Sequence, residues 1–138
     1  MENLFETYKD VLDRAYEVME KAYAPYSHYH VGACIKTKDG KYHVGANIEN
    51  CSYGLTNCAE RTAIFHVYSL GYRKEDIECM ALTTSGNTLG TPCGACRQVL
   101  SELLPKDAPI VIANAKKDSM LTNIGELLPY SFSEDDLG

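Results

Sequence analysis

Two short stretches are the most informative part of this chain: CAE at residues 58–60 and PCGAC at residues 92–96. Together they supply three thiols and one carboxylate. The candidate metal ligands are Cys58, Cys93 and Cys96. Three protein ligands leave the fourth position of a tetrahedral zinc ion open for water. Glu60 lies two residues from one ligand and can carry a proton of that water, so the two stretches predict an open, reactive zinc site.

Each cysteine stretch falls at the start of a predicted helix. One helix is predicted from Cys58 to Leu70 and ends before Gly71; the other spans Pro92–Leu104, with Thr91 as its cap. Free amide groups and the helix dipole at these starts favour thiolate over thiol. Three thiolates on Zn²⁺ carry a formal charge of −1, which Arg61, directly after the carboxylate, can offset.

The rest of the chain alternates helical and strand patterns. Apolar residues recur at helical spacing over residues 2–23, a helix that Pro25 should end. A glycine-containing turn, residues 38–40, predicts a hairpin between the first two strands. The predicted strands are His30–Thr37, Lys41–Asn47, Ile77–Thr83, Pro109–Ala113 and 119–122, followed by a helical turn at Ile124–Leu128. This order predicts an α/β sheet with helices on both faces.

The composition limits the kinds of ligand and macromolecule that this chain is expected to bind. A chain of 138 residues with 45% hydrophobic content is predicted to form a single domain, residues 1–138. Its net charge of −6 favours a small ligand over a nucleic acid polymer or an anionic membrane. Its apolar runs are too short for a membrane span, and residues 1–20 show no secretory signal. Six cysteines without such a signal predict reduced thiols and a cytoplasmic location.

Other interpretations of the same residues stay open. Asn57-x-x-Glu60 is also a capping-box pattern, which would make Glu60 a structural cap. A C-x-x-C pair alone is often a redox pair or half of a structural zinc site. Such a site needs a fourth ligand, and Cys51 is the main candidate because it precedes Cys58 in a loop. Cys34 and Cys79 lie among apolar strand residues, where buried free thiols are common.

Read in full, these segments resemble cytidine deaminases of the short-chain, homotetrameric, zinc-dependent class. The matching segments, in family order, are 24–27 (APYS), 31–33 (VGA), 47–50 (NIEN), 52–55 (SYGL), 58–63 (CAERTA) and 92–99 (PCGACRQV), and 127–129 with Phe132 resembles the family's C-terminal tail. The resemblance implies a three-layer α/β/α fold with a mixed, mostly five-stranded sheet. It also implies a homotetramer.

The resemblance assigns roles around the zinc site. It implies that Asn47 and Glu49 bind the ribose 3′-hydroxyl and that the Ala59 backbone N–H meets the pyrimidine O2. An amide and a carboxylate two residues apart in an extended segment suit such a sugar clamp. Arg61 and Gln98 are implied to hydrogen-bond the zinc thiolates and so tune the charge of the ligands.

Three aromatic residues complete the implied substrate site. Phe132, from a neighbouring subunit, should stack on the base, and Tyr53 of another subunit should lie near the 5′-hydroxyl. Tyr29 stands where the family usually has Phe, so it keeps the aromatic face and adds a hydroxyl. His30, which follows it, stands where the family usually has Pro.

The resemblance implies hydrolysis of cytidine and 2′-deoxycytidine to uridine and 2′-deoxyuridine, with release of ammonia, in pyrimidine salvage. An alternative is deamination of a cytosine-nucleoside antibiotic such as blasticidin S, against which Asn47 and Glu49 argue. A polynucleotide-editing deaminase conflicts with the acidic charge and lacks a basic aromatic stretch. A non-catalytic zinc-binding module would give Glu60 no role beyond capping.

Overall fold

The computed structural model describes residues 3–137. The strands are β1 Val31–Thr37, β2 Tyr42–Ala46, β3 Ile77–Thr84, β4 Ile110–Ala113 and β5 Ser119–Thr122. The helices are α1 Leu4–Thr7, α2 Lys9–Met19, α3 Ala59–Ser69, α4 Gly94–Leu103 and α5 Ile124–Leu127. Glu2, where the first helix was predicted to begin, lies outside the described residues. None of the helices within the described range is long and apolar enough to span a membrane.

All five strands form one mixed sheet in the order β2-β1-β3-β4-β5. Strands β3 and β4 run parallel, and the other neighbouring pairs are antiparallel. The register places Val31 opposite Thr84 and Gly32 opposite Ala46. The start of β1 and the ends of β2 and β3 therefore meet at one edge of the sheet, which is where the site lies.

Helices cover both faces of this sheet, which confirms the predicted three-layer α/β/α fold. Helix α2 packs on one face, where Val11, Leu12 and Ala15 contact a cluster that includes Cys34 and Cys79. Helices α3, α4 and α5 pack on the other face, which holds the larger apolar cluster. Its strand residues are Ala33, Ile35, Ile77, Met80, Leu82, Ile110 and Ile112. Strands β1, β3 and β4 therefore alternate their side chains between two apolar layers.

Helix α3 approaches the sheet very closely at Gly45. A Cβ atom at this position would lie 2.6 Å from the backbone nitrogen of Ala63 and 3.0 Å from the carbonyl oxygen of Ala59. Only a residue without a side chain fits there. This contact sets the height of the first turns of α3 above β2, and so helps to place Cys58 and Glu60 over the sheet edge.

The N-terminal helix differs from its prediction. It is interrupted at Tyr8, whose backbone leaves the helical region (φ −113°, ψ 25°), and it ends at Met19 rather than near Pro25. Residues 20–22 continue only as tight turns with i→i−3 hydrogen bonds. The Tyr23 N–H then donates to the carbonyl of Asn47, so pairing with the segment after β2 draws the chain out of the helix.

Neither the predicted Thr91 cap nor the alternative capping box at Asn57 forms at the two site helices. The N-cap residues are Cys58 for α3 and Cys93 for α4, rather than Asn57 and Thr91, and neither cysteine side chain caps its helix. The Asn57 amide instead donates to the Thr62 hydroxyl. No capping box therefore forms at α3, which leaves the carboxylate of Glu60 available for another role.

Candidate metal centre and adjoining cavity

The three predicted ligand thiols converge although 35 residues of chain separate the first two. The Sγ atoms of Cys58 and Cys93 lie 3.9 Å apart, and those of Cys58, Cys93 and Cys96 all lie within 4.8 Å of one another. A tetrahedral zinc ion with Zn–S bonds of about 2.3 Å needs S···S distances of about 3.8 Å. The cluster thus fits zinc after small side-chain adjustments.

The cluster already favours negative charge. The pKa of Cys58 is lowered to about 5, by hydrogen bonds from the Cys96 thiol and from Arg61, whose Nη2 lies 3.5 Å from the Cys58 sulfur. The pKa of Cys96 is raised, because this thiol donates to Cys58 and is buried. In the absence of metal, one sulfur is thus a thiolate and another holds a proton, and zinc binding would displace that proton.

The other cysteines lie outside this cluster. Burial raises the pKa of Cys34 to about 12 and that of Cys79 to about 11, so both remain protonated thiols in the core. Cys51 is exposed, and its sulfur contacts the Asn50 side chain at 3.8 Å. Among residues 3–137, the candidate metal group contains three thiols and no fourth.

Glu60 lies in the first turn of α3, beside the thiol cluster, and only 5% of its surface is exposed. Burial raises its pKa to about 7 in the metal-free chain. A carboxylate with such a pKa can both accept and return a proton near neutral pH. This environment suits a proton carrier better than the capping role.

A cavity of about 260 Å³ opens directly against the metal cluster. Cys58, Ala59, Glu60 and Cys93 form one wall, contributed by the starts of α3 and α4. The remaining wall is contributed by the sheet edge and its loops. It comprises Ser27, Tyr29, Val31, Asn47, Glu49, Thr56, Leu82, Thr84, Gly90 and Thr91.

Asn47 and Glu49 line this cavity and also hold its opposite wall in place. The Asn47 side chain accepts from the Val31 N–H at 2.9 Å and donates to the Tyr29 carbonyl at 2.8 Å. Glu49 accepts from the N–H groups of Tyr26 and Ser27 at 3.0 and 3.1 Å and from the Ser27 hydroxyl. Sequence reasoning missed this bracing role, since nothing in a linear pattern pairs 47–49 with 26–31.

The cavity lining does not include the predicted site residues Gln98, Phe132 and Tyr53. The Gln98 amide donates to the Phe132 carbonyl at 3.0 Å, so its contact with a thiolate stays a prediction. The Phe132 side chain is 58% exposed, and Tyr53 is 75% exposed at an edge-on contact with Tyr26. The roles predicted for these two aromatic residues concern neighbouring subunits and also stay predictions.

Arg97 has a positioning role that the sequence did not reveal. Its guanidinium donates to the Pro92 carbonyl at 2.7 Å, to the Thr91 hydroxyl at 2.8 Å and to the Leu127 carbonyl at 2.8 Å. It therefore ties the loop that precedes Cys93 to the C-terminal segment.

We expect the purified protein to contain about one zinc ion per chain, bound by three sulfurs. Elemental analysis should give the same content for the Cys51→Ser variant, because Cys51 lies outside the cluster. The Cys96→Ser variant should lose most of its zinc, because a buried ligand is replaced by a poor one. Loss of zinc from Cys51→Ser would contradict the three-thiol site.

Comparison with known proteins agrees with this geometry. Residues 5–112 match the family described as "Cytidine and deoxycytidylate deaminase zinc-binding region", a range that contains all three thiols and confirms the zinc prediction. The chain is 46% identical to a cytidine deaminase of Halalkalibacterium halodurans over 127 residues, covering 92% of this chain and 95% of that protein. It is 38% identical to a probable cytidine deaminase of Dictyostelium discoideum, covering 96% and 88%.

Solved structures give the same result. The crystal structure of cytidine deaminase from Burkholderia pseudomallei superposes with a TM-score of 0.87 at 44% identity, covering 91% of this chain and 98% of that one. The cytidine deaminase of Mycobacterium tuberculosis superposes with a TM-score of 0.76 at 32% identity, covering 91% and 97%. The chain therefore belongs to the cytidine and deoxycytidylate deaminase family.

Proposed function

We propose that this protein hydrolyses cytidine and 2′-deoxycytidine to uridine and 2′-deoxyuridine, releasing ammonia, as a step of pyrimidine salvage. One observation carries the proposal: the buried carboxylate of Glu60 lies beside a three-thiol cluster on the wall of a 260 Å³ cavity. Relatives at 44–46% identity bear the name cytidine deaminase, which supports the substrate class.

The chemistry follows from the residues on this wall. Zinc held by Cys58, Cys93 and Cys96 would lower the pKa of a water molecule and so supply the nucleophile. Glu60 accepts the first proton of the water as its oxygen adds to C4 of the base, and delivers it to N3. Glu60 then takes the remaining proton from the C4 hydroxyl and transfers it to the departing amine. The C4–N bond breaks, ammonia leaves and the C4 carbonyl forms, so one water is consumed for each ammonia released.

Backbone and side-chain groups would orient the nucleoside. The Ala59 N–H belongs to the first residue of α3, where amide groups lack an acceptor within the helix, and it can donate to the base O2. Asn47 and Glu49 each have hydrogen-bonding capacity beyond the bonds that brace the wall, and they can bind the ribose 3′-hydroxyl. Arg61 at the Cys58 sulfur offsets the charge of the ligands.

The burial of Glu60, the pair Asn47 and Glu49, and the net charge each weigh against one alternative function. A non-catalytic zinc module leaves unexplained why Glu60 is buried at the cavity without capping α3. An antibiotic-nucleoside deaminase does not need the ribose-directed pair Asn47 and Glu49. The net charge of −6 disfavours a polynucleotide substrate.

We also propose that the working enzyme is a cytoplasmic homotetramer with shared active sites. The exposed Phe132 and Tyr53 lie outside the cavity of their own chain, where a neighbouring subunit could use them. The free state of Cys34, Cys51 and Cys79 fits a reducing compartment.

Replacing Glu60 by Gln should reduce deamination of cytidine by roughly two to four orders of magnitude, because the amide cannot carry the proton. The loss of ultraviolet absorbance as cytidine becomes uridine measures the rate. Zinc content and melting temperature serve as controls and should stay near wild type, since Gln keeps the size of the side chain. Near-normal turnover by Glu60→Gln would remove this residue from the mechanism.

Substrates test the sugar clamp better than mutations do, because Asn47 and Glu49 also brace the cavity wall. We expect cytidine and 2′-deoxycytidine to react well. Cytosine and 3′-deoxycytidine should show kcat/KM lower by at least about 100-fold, because they lack the 3′-hydroxyl that Asn47 and Glu49 are proposed to bind. Blasticidin S should be a poor substrate. Comparable kcat/KM for cytosine and cytidine would refute the clamp.

Phe132→Ala should raise the KM for cytidine roughly 5- to 150-fold, the range that corresponds to about 1–3 kcal/mol of base–aromatic stacking. Tyr130→Ala is the matched control, because Tyr130 is fully exposed two residues away.

Truncation after Leu128 should preserve folding and zinc but weaken cytidine binding. Light scattering should report about four chains, and a fully active monomer at assay concentration would exclude shared sites.

A further inference from the structure

The side chain of Tyr29 packs against two glycines of the loop that joins β3 to α4. A Cβ atom at Gly86 would lie 3.0 Å from Cε1 of the Tyr29 ring, and a Cβ atom at Gly90 would lie 2.3 Å from the Tyr29 hydroxyl oxygen. The hydroxyl therefore occupies space that any side chain at position 90 would need. The φ angle of Gly90 lies outside the left-handed region, so this contact, rather than backbone conformation, excludes a side chain there.

The backbone of Tyr29 is itself held in place. Its N–H donates to the Ser27 hydroxyl at 3.0 Å, and its carbonyl accepts from the Asn47 amide at 2.8 Å. Ser27 is in turn hydrogen-bonded to Glu49. Because Tyr29 and Gly90 both line the cavity, their contact joins this braced segment to the wall that the loop forms.

Hydrogen bonds hold both ends of the loop. Ser85 exchanges two of them with His30, each 2.9 Å long. The carbonyl of the next residue, Gly86, accepts from the Ala115 N–H at 3.3 Å. Arg97 binds the residues just before the metal ligand at the other end, as described above.

The middle of the loop is held by packing alone. Residues 88–90 make no hydrogen bond with any residue in the described range 3–137. Leu89 packs against the larger apolar cluster. Gly90 instead lies between the Tyr29 hydroxyl and Thr84, whose Cγ2 would be 3.2 Å from a Cβ atom at position 90. On the cavity side, the position of this part of the loop therefore depends on Tyr29.

We propose that Tyr29 is a positioning residue for the cavity wall: its hydroxyl, packed against Gly90, fixes where this part of the loop lies. The inference rests on the proposed function, which places the nucleoside in this cavity. The hydroxyl acts by occupying space and needs no bond to the substrate. A gap or a clash at this contact should therefore impair deamination, because small displacements of the groups around a substrate are costly.

Paired substitutions test the contact. Gly90→Ala should lower kcat/KM for cytidine at least about tenfold, because the added methyl overlaps the hydroxyl and forces the ring or the loop to move. Tyr29→Phe leaves a gap and should lower kcat/KM about three- to fivefold. In the double variant the methyl would lie 3.7 Å from the ring carbon Cζ, an ordinary contact that fills the gap. The double variant should therefore exceed both single variants and come within about twofold of wild type.

Gly86→Ala is the matched control, because its methyl would press on Cε1 of the ring, an atom that phenylalanine keeps. Tyr29→Phe should therefore not rescue Gly86→Ala. Zinc content, melting temperature and the dissociation constant of uridine are measured for every variant, and kinetics are measured below the lowest melting temperature. Uridine binding should weaken in Gly90→Ala and recover in the double variant, which tests the wall without turnover.

Wild-type kcat/KM in either single variant, or a double variant no more active than Gly90→Ala, would overturn the inference. Rescue of both alanine variants would also overturn it, because the effect would then not belong to the hydroxyl. A Gly90→Ala defect confined to the melting temperature would make the contact structural only. In each of these cases cytidine turnover by the wild type still stands, whereas its absence would overturn the proposed function as well.

Discussion

The gathering of three sulfur atoms within 4.8 Å of one another is the constraint on which the rest of the site depends. Three thiolates at this distance repel one another, so zinc and the positive charge around the cluster must offset that repulsion. Cys58 and Cys93 are the N-cap residues of two helices, where free amide groups and the helix dipole favour negative charge. Arg61 supplies a further positive charge at the Cys58 sulfur.

The sheet brings those two helix starts together. Helix α3 follows a loop after β2, and α4 follows β3, whose end lies beside the start of β1. The close approach of α3 at Gly45 then sets its distance from the sheet. The same sheet edge supplies the opposite wall, which Asn47 and Glu49 hold by hydrogen bonds to residues 26–31. Residues proposed to bind sugar are therefore also structural, which links substrate recognition to the stability of the cavity.

Most strands and helices were predictable because local signals agree with the final packing. The hairpin of β1 and β2 carried a glycine turn, and β4 was a continuous apolar run after a helical segment. Sequence patterns also identified the thiol cluster and Glu60, since ligand spacing and a neighbouring carboxylate are local features. What could not be predicted depends on distant contacts. Tyr23 leaves the helical path because it pairs with the Asn47–Glu49 segment.

The central claim is that three thiols leave one metal position open beside Glu60. A crystal structure of the zinc-loaded protein with a hydrated-pyrimidine nucleoside, whose C4 is tetrahedral, tests it most directly. We expect zinc bound by Cys58, Cys93 and Cys96 at about 2.3 Å and by the ligand's C4 oxygen at about 2.0 Å. The Glu60 carboxylate should lie within about 3 Å of that oxygen. A fourth sulfur ligand on zinc, or a Glu60 side chain turned away from the nucleoside, would contradict the account.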